Sequence, residues 1–238
     1  RGLAPTVIGF EACGASHHWA RVAMAHGHTA RLVPPQHVKP YLKRNKNDAR
    51  DAEAGCEAMS RPMTTFVPVK SEEQQAAAML IGVRQGLVKR RTQLGNRIRG
   101  YAAEFGLVSP KGKDKIEPLL QRIAADRTLP ALARQMFAEL RAEWAQVVAR
   151  VAQVERRVLS SHKSDPTRMR LAEVPSIGPI GAAMIVAKVP DAAAFKSTRH
   201  FSGWVGLTPK DHSTAGKQRL GAITKAGDEA LRAVLVSG

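Results

Sequence analysis

The sequence lacks the features that would place a protein in a membrane or cross-link it with disulfides. No apolar stretch approaches the run of about 18 residues that a membrane-spanning helix needs, and no charged-then-apolar leader is present. The two cysteines, Cys13 and Cys56, are too few for a disulfide framework or, by themselves, for a structural zinc site. We therefore expect reduced thiols, a cytoplasmic location and no membrane partner.

Acidic residues are also scarce. The chain has 20 Asp and Glu against 37 Lys and Arg, which gives a net charge of +17 over 238 residues. This excess favours a polyanionic partner, and nucleic acid is the usual one. It extends over the whole chain, which indicates a long nucleic-acid track and not a basic tail. The alternative is a basic protein without such a partner.

The two ends suggest a piece of a longer protein. The chain has no initiator Met, and its last residues, 228–238, have the pattern of a helix that stops early. Residues 1–70 alternate between strand and helix patterns, which predicts an α/β layer with parallel pairing. The predicted strands are 6–10, 29–33 and 64–69, and the predicted helices are 16–26 and 48–60.

Residues 71–163 have the pattern of two long helices joined by a basic loop at 106–115. Ser71 and Gln74 have the spacing of a capping box at the first helix start. Apolar residues then recur at helical spacing, which predicts a long antiparallel coiled-coil arm. The two stripes are Leu80, Leu87, Leu94, Ile98, Tyr101 and Phe105, and Met136, Leu140, Trp144, Val147, Val151, Val154 and Val158. Arginines on the other faces either track phosphates or are simply solvated.

Residues 164–238 are expected to form a small domain of short helices separated by Gly-rich turns. Within it, residues 171–186 have the pattern of a helix-hairpin-helix, with Gly178 and Gly181 allowing a tight turn. The N–H groups of such a turn can face a DNA phosphate. The alternative is an ordinary helical hairpin.

Two groups of side chains could carry chemistry. Glu11 at the end of the first strand, with Asp48 and Asp51 on one helix face, offers the oxygen ligands that Mg²⁺ prefers. The structural alternatives are a helix N-cap for Asp48 and a dipole-stabilising first-turn charge for Asp51. Ser213 lies beside Lys217 and Arg219, which could hold a phosphate while the serine attacks it. His212 could be its base, and the alternative is a phosphate-binding solvent loop.

Taken together, these segments resemble the IS-one-ten class of insertion-sequence transposases, in the right order and over nearly the whole chain. The motifs are Gly-Phe-Glu-Ala-Cys-Gly at 9–14, Arg-Asn-Lys-Asn-Asp-Ala-Arg-Asp-Ala-Glu-Ala at 44–54, Val-Pro-Ser-Ile-Gly-Pro at 174–179, Phe-Ser-Gly-Trp-Val-Gly-Leu-Thr-Pro at 201–209, His-Ser-Thr-Ala-Gly-Lys at 212–217 and Ile-Thr-Lys-Ala-Gly-Asp at 223–228.

The resemblance implies a RuvC-like, RNase H-type domain at 1–70, a coiled-coil arm at 71–163 and a helical transposase domain at 164–238. It implies a DEDD acidic site that holds Mg²⁺, a serine that links covalently to DNA, and a guide RNA. Carried over, the second, third and fourth acidic residues are Glu11, Asp48 and Asp51, and the nucleophile is Ser213. The expected phosphate and DNA contacts are Gly178, Gly181, Lys217, Arg219 and Lys225.

The sequence departs from the family pattern at one metal ligand. The family's first aspartate lies on an opening strand that this chain lacks, so we expect the chain as given to be inactive or badly impaired. Ala215, where relatives often carry Gly, is a smaller departure in the serine segment. We expect the transposase to be a dimer or tetramer. Two hypotheses compete with it. They are a RuvC-type metal-dependent nuclease and an inactive nucleic-acid-binding remnant.

Overall fold

The computed structural model describes residues 2–42, 47–189, 191–214 and 216–237. It divides into two compact units. The first, here the N-terminal unit, comprises Arg1–Ala76 with Val189–Lys196, and the second, the helical unit, comprises Ala77–Lys188 with Ser197–Gly238. None of the described helices is both long and apolar enough to cross a membrane.

The N-terminal unit begins with a strand, a helix and a second strand. β1 (Val7–Glu11) and β2 (Thr29–Val33) pair in parallel, with Val7 opposite Thr29 and Glu11 opposite Val33. α1 (Ser16–Ala25) connects them. Parallel strands require such a crossover connection. The alternating pattern therefore correctly predicted this strand–helix–strand segment, and each predicted bound is within one residue of the observed one.

Short helices complete the N-terminal unit. α2 (Pro35–Val38) leads through a 3-10 turn and residues outside the description to α3 (Asp48–Ser60), whose predicted bounds are confirmed. Residues 64–69 do not form the predicted strand. They make a single antiparallel bridge, Leu32 with Val67. The buried cluster is Val33, Val38, Ala54 and Ala58, with Tyr41, Met59 and Phe66 packed against it.

Three helices form the larger part of the helical unit: α4 (Glu72–Ala103), α5 (Ile116–Ala125) and α6 (Ala131–Lys163). The capping box is confirmed, since the Ser71 hydroxyl accepts from the Gln74 N–H and Gln74 Oε1 accepts from the Ser71 N–H. α4 and α6 run antiparallel, as ion pairs join Arg84 to Glu155 (2.6 Å) and Arg90 to Glu143 (2.8 Å).

The predicted stripes are only partly buried. Five of the α6 positions are confirmed as core, namely Trp144, Val147, Val151, Val154 and Val158, as are Leu94 and Ile98 of α4. The prediction is wrong for Tyr101, Phe105 and Met136, whose side chains are 53%, 42% and 40% exposed. The physical reason is α5, which was not predicted. Its apolar residues pack against α4 and α6 and shift the buried face: Ile116, Leu119, Leu120 and Ile123.

The rest of the helical unit adds short elements. They are α7 (Pro166–Ala172), α8 (Pro179–Lys188), α9 (Thr198–Val205), β3 (Pro209–Asp211), β4 (Leu220–Ile223) and α10 (Glu229–Ser237). α8 packs on the ends of α4 and α6 through a buried cluster that includes Ile81, Val158 and Met184. The β3–β4 hairpin corrects the expectation of a purely helical C-terminal region.

Candidate functional site

Glu11 is the last residue of β1, so its carboxylate lies at the carboxyl end of the parallel pair. The chain turns directly afterwards, because the Cys13 N–H donates to the Glu11 carbonyl at 2.8 Å. The Glu11 side chain is exposed. It is therefore placed where ligands commonly bind to parallel sheets.

Asp48 and Asp51 lie in the first turn of α3. The N-cap is Asn47, whose side chain accepts from the Arg50 N–H at 2.9 Å. Capping therefore does not explain Asp48, and that structural alternative is wrong. A first-turn charge that suits the helix dipole remains compatible with both aspartates.

These carboxylates have the right chemistry for a hard divalent ion, because such ions take oxygen ligands. Within residues 2–42, 47–189, 191–214 and 216–237, no group of three or more His, Cys, Asp or Glu side chains could hold a metal ion. The three-carboxylate centre of Glu11, Asp48 and Asp51 stays a prediction. Residues 44–46 of the motif that contains the two aspartates lie outside the described residues.

Ser213 belongs to the helical unit and follows the β3 strand by two residues. The antiparallel ladder continues past the strands, as the His212 N–H donates to the Arg219 carbonyl at 2.8 Å. A bridge between Thr214 and Lys217 closes the tip, within which Ala215 lies outside the described residues. The serine is thus held at the tip of an exposed hairpin, where the sequence suggested a flexible segment.

Two hydrogen bonds hold Ser213. Its N–H donates to Asp211 Oδ1 at 2.8 Å, and its Oγ accepts from the Arg219 N–H at 3.0 Å. The Ser213 side chain and its backbone N–H together lower the pKa of Asp211 below its usual value. Sequence reasoning missed Asp211. The signal that could have found it is the Asp-x-Ser spacing, which allows an aspartate to bond the backbone two residues on.

The His212 side chain lies on the side of the hairpin that faces Gly221. A side chain added at Gly221 would lie 3.3 Å from the His212 ring, so the imidazole packs across the hairpin against that glycine. Within the described part of the chain, no hydrogen bond joins His212 to Ser213. The geometry therefore gives the serine a carboxylate neighbour and does not support His212 as its base.

Three expected phosphate-binding cations lie on or just after this hairpin. Lys217, Arg219 and Lys225 are exposed, and none of them pairs with an acidic residue that the structure describes. Lys225 adopts a left-handed backbone with φ 55° and donates its N–H to the Gly206 carbonyl at 3.1 Å. The hairpin and the residues just after it thus carry three exposed cations and the Asp211 carboxylate, and this excess of positive charge suits an anionic partner.

α7 and α8 pack together, but their turn differs from the expectation. Ser176, with φ 72°, takes the left-handed position, and neither Gly178 nor Gly181 does. Gly181 is buried, and a Cβ there would lie 2.9 Å from Val234 of α10, so this glycine serves packing. Gly178 is exposed with open space around it, which leaves its backbone accessible to a ligand.

Comparison with known proteins finds the same families along the chain. Residues 168–238 match the family described as Transposase IS116/IS110/IS902, and residues 2–105 match the DEDD family of IS110, described as Transposase. A Sinorhizobium fredii protein named as the y4pF/y4sB transposase is 55% identical over 98% of this chain and 60% of its own length. The chain therefore spans about three fifths of that relative.

Two further relatives are matched over more of their length. A family 20 transposase of Pseudomonas aeruginosa is 45% identical over 100% of this chain and 71% of its own length. The transposase for insertion sequence element IS1328 of Yersinia enterocolitica is 36% identical over 98% of this chain and 69% of its own length. The chain therefore belongs to the IS110/IS116/IS902 family of transposases.

Proposed function

We propose that this chain is the larger part of a DNA recombinase that moves an insertion sequence and that Ser213 is its nucleophile. The observation that carries the proposal is the exposed hairpin tip. There the Ser213 hydroxyl accepts from the backbone N–H of Arg219 at 3.0 Å, on a hairpin that also carries the exposed side chains of Lys217 and Arg219. A hydroxyl oriented among phosphate-binding charges suits attack on a phosphodiester.

In the proposed step, Ser213 Oγ bonds to the phosphorus and the bond to a deoxyribose oxygen breaks. Lys217 and Arg219 offset the charge that develops on the phosphate oxygens. Because the phosphoserine link conserves the phosphodiester energy, strand exchange needs no ATP. Recombination of paired DNA ends needs two such serines, which supports a dimer or tetramer in which one subunit's serine serves another's DNA. The arm at 71–163 is the proposed assembly element.

Mg²⁺ is the proposed metal, and Glu11, Asp48 and Asp51 are the residues that would hold it. When bound, it would polarise the scissile phosphate. The match to the DEDD family over residues 2–105 supports a divalent metal. The RuvC-like character of residues 1–70, the helix-hairpin-helix at α7 and α8, and the guide RNA belong to the same proposal.

The test uses the full-length protein with element-end DNA, the flanking RNA and Mg²⁺. We expect a protein–DNA adduct that survives denaturation and is lost in Ser213→Ala and in Asp48→Ala. Thr214→Ala is the matched control, because it removes the neighbouring exposed hydroxyl and should leave the adduct.

A different outcome would favour the nuclease. The acidic residues and the serine belong to separate compact units, so an acidic site that acts without Ser213 is the second candidate. Metal-dependent cutting without an adduct, unchanged by Ser213→Ala, would establish that reaction and refute the serine mechanism. DNA binding without cutting would identify an inactive remnant.

A further inference from the structure

The β3–β4 hairpin is a two-stranded ribbon that is exposed on both faces. Every residue of β3 is exposed, and so are three of the four residues of β4, including Leu220, which is 55% exposed. The base of the ribbon is fixed, because the Thr224 N–H donates to the Thr208 carbonyl at 2.9 Å. A two-stranded ribbon by itself is at best marginally stable, so this one gains most from a partner that covers it.

One face of the ribbon carries two polar side chains that are free to bind a ligand. A Cβ added at Gly221 of β4 would lie 3.3 Å from the His212 ring and 3.7 Å from Lys210 Cβ, so these side chains share the face of Gly221. Because glycine has no side chain, the imidazole lies across the ribbon at this point. Within the described part of the chain, neither the Lys210 ammonium nor the His212 ring has a hydrogen-bond or ion-pair partner.

The charge of the hairpin is complementary to DNA. The hairpin contains three cations, Lys210, Lys217 and Arg219, and one acid, Asp211. Side chains alternate along a strand, so Asp211 lies on the face opposite Lys210, and its Oδ1 accepts from the Ser213 N–H at 2.8 Å. The face of Lys210 therefore has no carboxylate from its own hairpin, and a polyanion that approaches it meets only positive or neutral groups.

The shape of the ribbon selects one groove of duplex DNA. The major groove of B-DNA, about 12 Å wide, admits a two-stranded β-ribbon, whereas the minor groove is only about 6 Å wide. In the major groove, guanine presents two acceptors, O6 and N7. A lysine ammonium only donates, and an imidazole donates through its N–H. The side chains of Lys210 and His212 therefore match a guanine edge better than the edge of any other base.

We propose that the β3–β4 hairpin enters the major groove of duplex DNA with the face of Lys210 and His212, and that these two side chains contact guanine edges there. This inference rests on the proposed function for its DNA partner, but it does not require Ser213 to react. The Ser213 Oγ accepts from the main-chain N–H of Arg219 at 3.0 Å, and such groups point along the plane of a sheet. The hydroxyl therefore lies at the ribbon's tip and edge, which face the phosphates of the groove wall.

The experiment selects duplex DNA with a randomised segment on the full-length protein, without RNA, and sequences the bound fraction. We expect guanine to be preferred at one or two positions by about 5-fold to about 150-fold, the range of one good base contact. Lys210→Met keeps the apolar stem and His212→Phe keeps the ring on Gly221, and each should lose the preference at one position. Lys217→Gln should weaken binding to all sequences alike and keep the preference, because a phosphate contact carries no sequence information.

A control variant and two base analogues make the test specific. Lys111→Met removes a lysine from an exposed loop of the same unit and should change neither the affinity nor the preference. At the preferred positions, 7-deazaguanine lacks the N7 acceptor of the major groove and should weaken binding by about the same factor as another base. Inosine lacks only the amino group in the minor groove and should leave the affinity within about twofold.

Two outcomes would overturn the inference. The first is the absence of a guanine preference, or a preference that Lys210→Met and His212→Phe both leave unchanged. The second is binding that is sensitive to inosine and not to 7-deazaguanine, which would place the protein in the minor groove. The proposed reaction is measured separately, by the Ser213-dependent adduct. An adduct without the preference would refute the groove contact and keep the recombinase, and the preference without an adduct would refute the serine mechanism and keep the groove contact.

Discussion

Two glycines allow a close crossing of backbone where α9 ends. Gly206 has φ 83°, and a Cβ there would lie 2.2 Å from the Ala226 carbonyl oxygen. Gly227 has φ 74°, and a Cβ added there would lie 2.2 Å from the Trp204 carbonyl oxygen. The Arg232 guanidinium donates to the carbonyls of Val205 (2.9 Å) and Ala226 (2.8 Å), which holds the two segments together. Residues 225–228, the Lys-Ala-Gly-Asp part of the motif at 223–228, thus form part of this close backbone crossing.

Gly206→Ala should destabilise the helical unit strongly. A residue with a Cβ at positive φ costs about 1 kcal/mol, and here the Cβ would also overlap backbone that cannot move aside. We expect a loss above about 3 kcal/mol, measured by urea unfolding. Gly106→Ala is the control, because Gly106 has φ 77° and open space around it, and it should lose only about 1 kcal/mol. Equal losses would show that the crossing adjusts freely.

Asp228 should contribute acid-sensitive stability. Partial burial raises its pKa, but the bond and charge of Lys188 and the Leu231 N–H outweigh burial, so the pKa lies below its usual value. A lowered folded pKa gives stability that is complete above about pH 4 and is lost as the pH falls through the folded value. The stability difference between the protein and Asp228→Asn should therefore be about 1 kcal/mol at pH 6 and shrink towards pH 2 in urea unfolding. A difference that does not change with pH would contradict this.

At the candidate site, the sequence led to the prediction of Ser213 but did not point to Asp211, which accepts the Ser213 N–H. Lys217 and Arg219 are predicted as phosphate contacts because they lie close to Ser213 in the sequence, whereas Ser213 is predicted as the nucleophile because it is the serine of the segment that resembles the transposase family. The partner of Ser213 depends on a side-chain direction, which alternates along β3 and requires the strand to be known. Because β3 has only three residues, all exposed, it lacks the hydrophobic alternation that reveals a strand. The sequence therefore could not show which of His212 and Asp211 lies on the same side of the strand as Ser213.

On the scale of one element, α4 carries glycines in two different environments. Gly82 and Gly86 are exposed with open space around them, whereas a Cβ at Gly95 would lie 3.3 Å from Trp144 and 3.4 Å from Ile116. Alanine favours a helix interior over glycine by about 1 kcal/mol. We expect Gly82→Ala and Gly86→Ala each to stabilise the helical unit by that amount in urea unfolding, and Gly95→Ala to gain less or lose. A gain at Gly95 equal to the other two would mean that the Trp144 contact yields without cost.

The elements that were predicted correctly have strong local signals. The β1, α1 and β2 segments and α3 are marked by β-branched runs, caps and helical periodicity, and their bounds are correct within one residue. The missed α5 is only ten residues long and lies between the predicted loop at 106–115 and the second long helix, in a segment for which the sequence pattern predicted no element. The packing of α5 determines which face of α4 is buried, and the sequence of α4 alone does not contain that information. For the same reason Tyr101 and Phe105 could not be recognised as exposed.

On the scale of the whole molecule, the 37 Lys and Arg residues fall into two groups. Some cations of the long helices are compensated within the fold, as in the pairs Arg84–Glu155 and Arg90–Glu143. Others, including Lys217 and Arg219, have no acidic partner among the described residues. DNA binding could therefore depend on the total charge or on particular cations, and the salt dependence distinguishes these cases. Each phosphate contact contributes about 0.9 to the slope of log affinity against log salt for duplex DNA.

The double variant Lys217→Gln with Arg219→Gln should lower that slope by about 2 in a fluorescence anisotropy titration with duplex DNA, because two phosphate contacts are lost. Lys111→Gln with Lys113→Gln is the control. It removes the same charge from an exposed loop of the same unit and should leave the slope unchanged. Equal changes in both variants would mean that DNA responds to the total charge, and the hairpin would then lose its assignment as a phosphate site. A change confined to the hairpin variant would place a phosphate beside Ser213, where the serine reaction requires it.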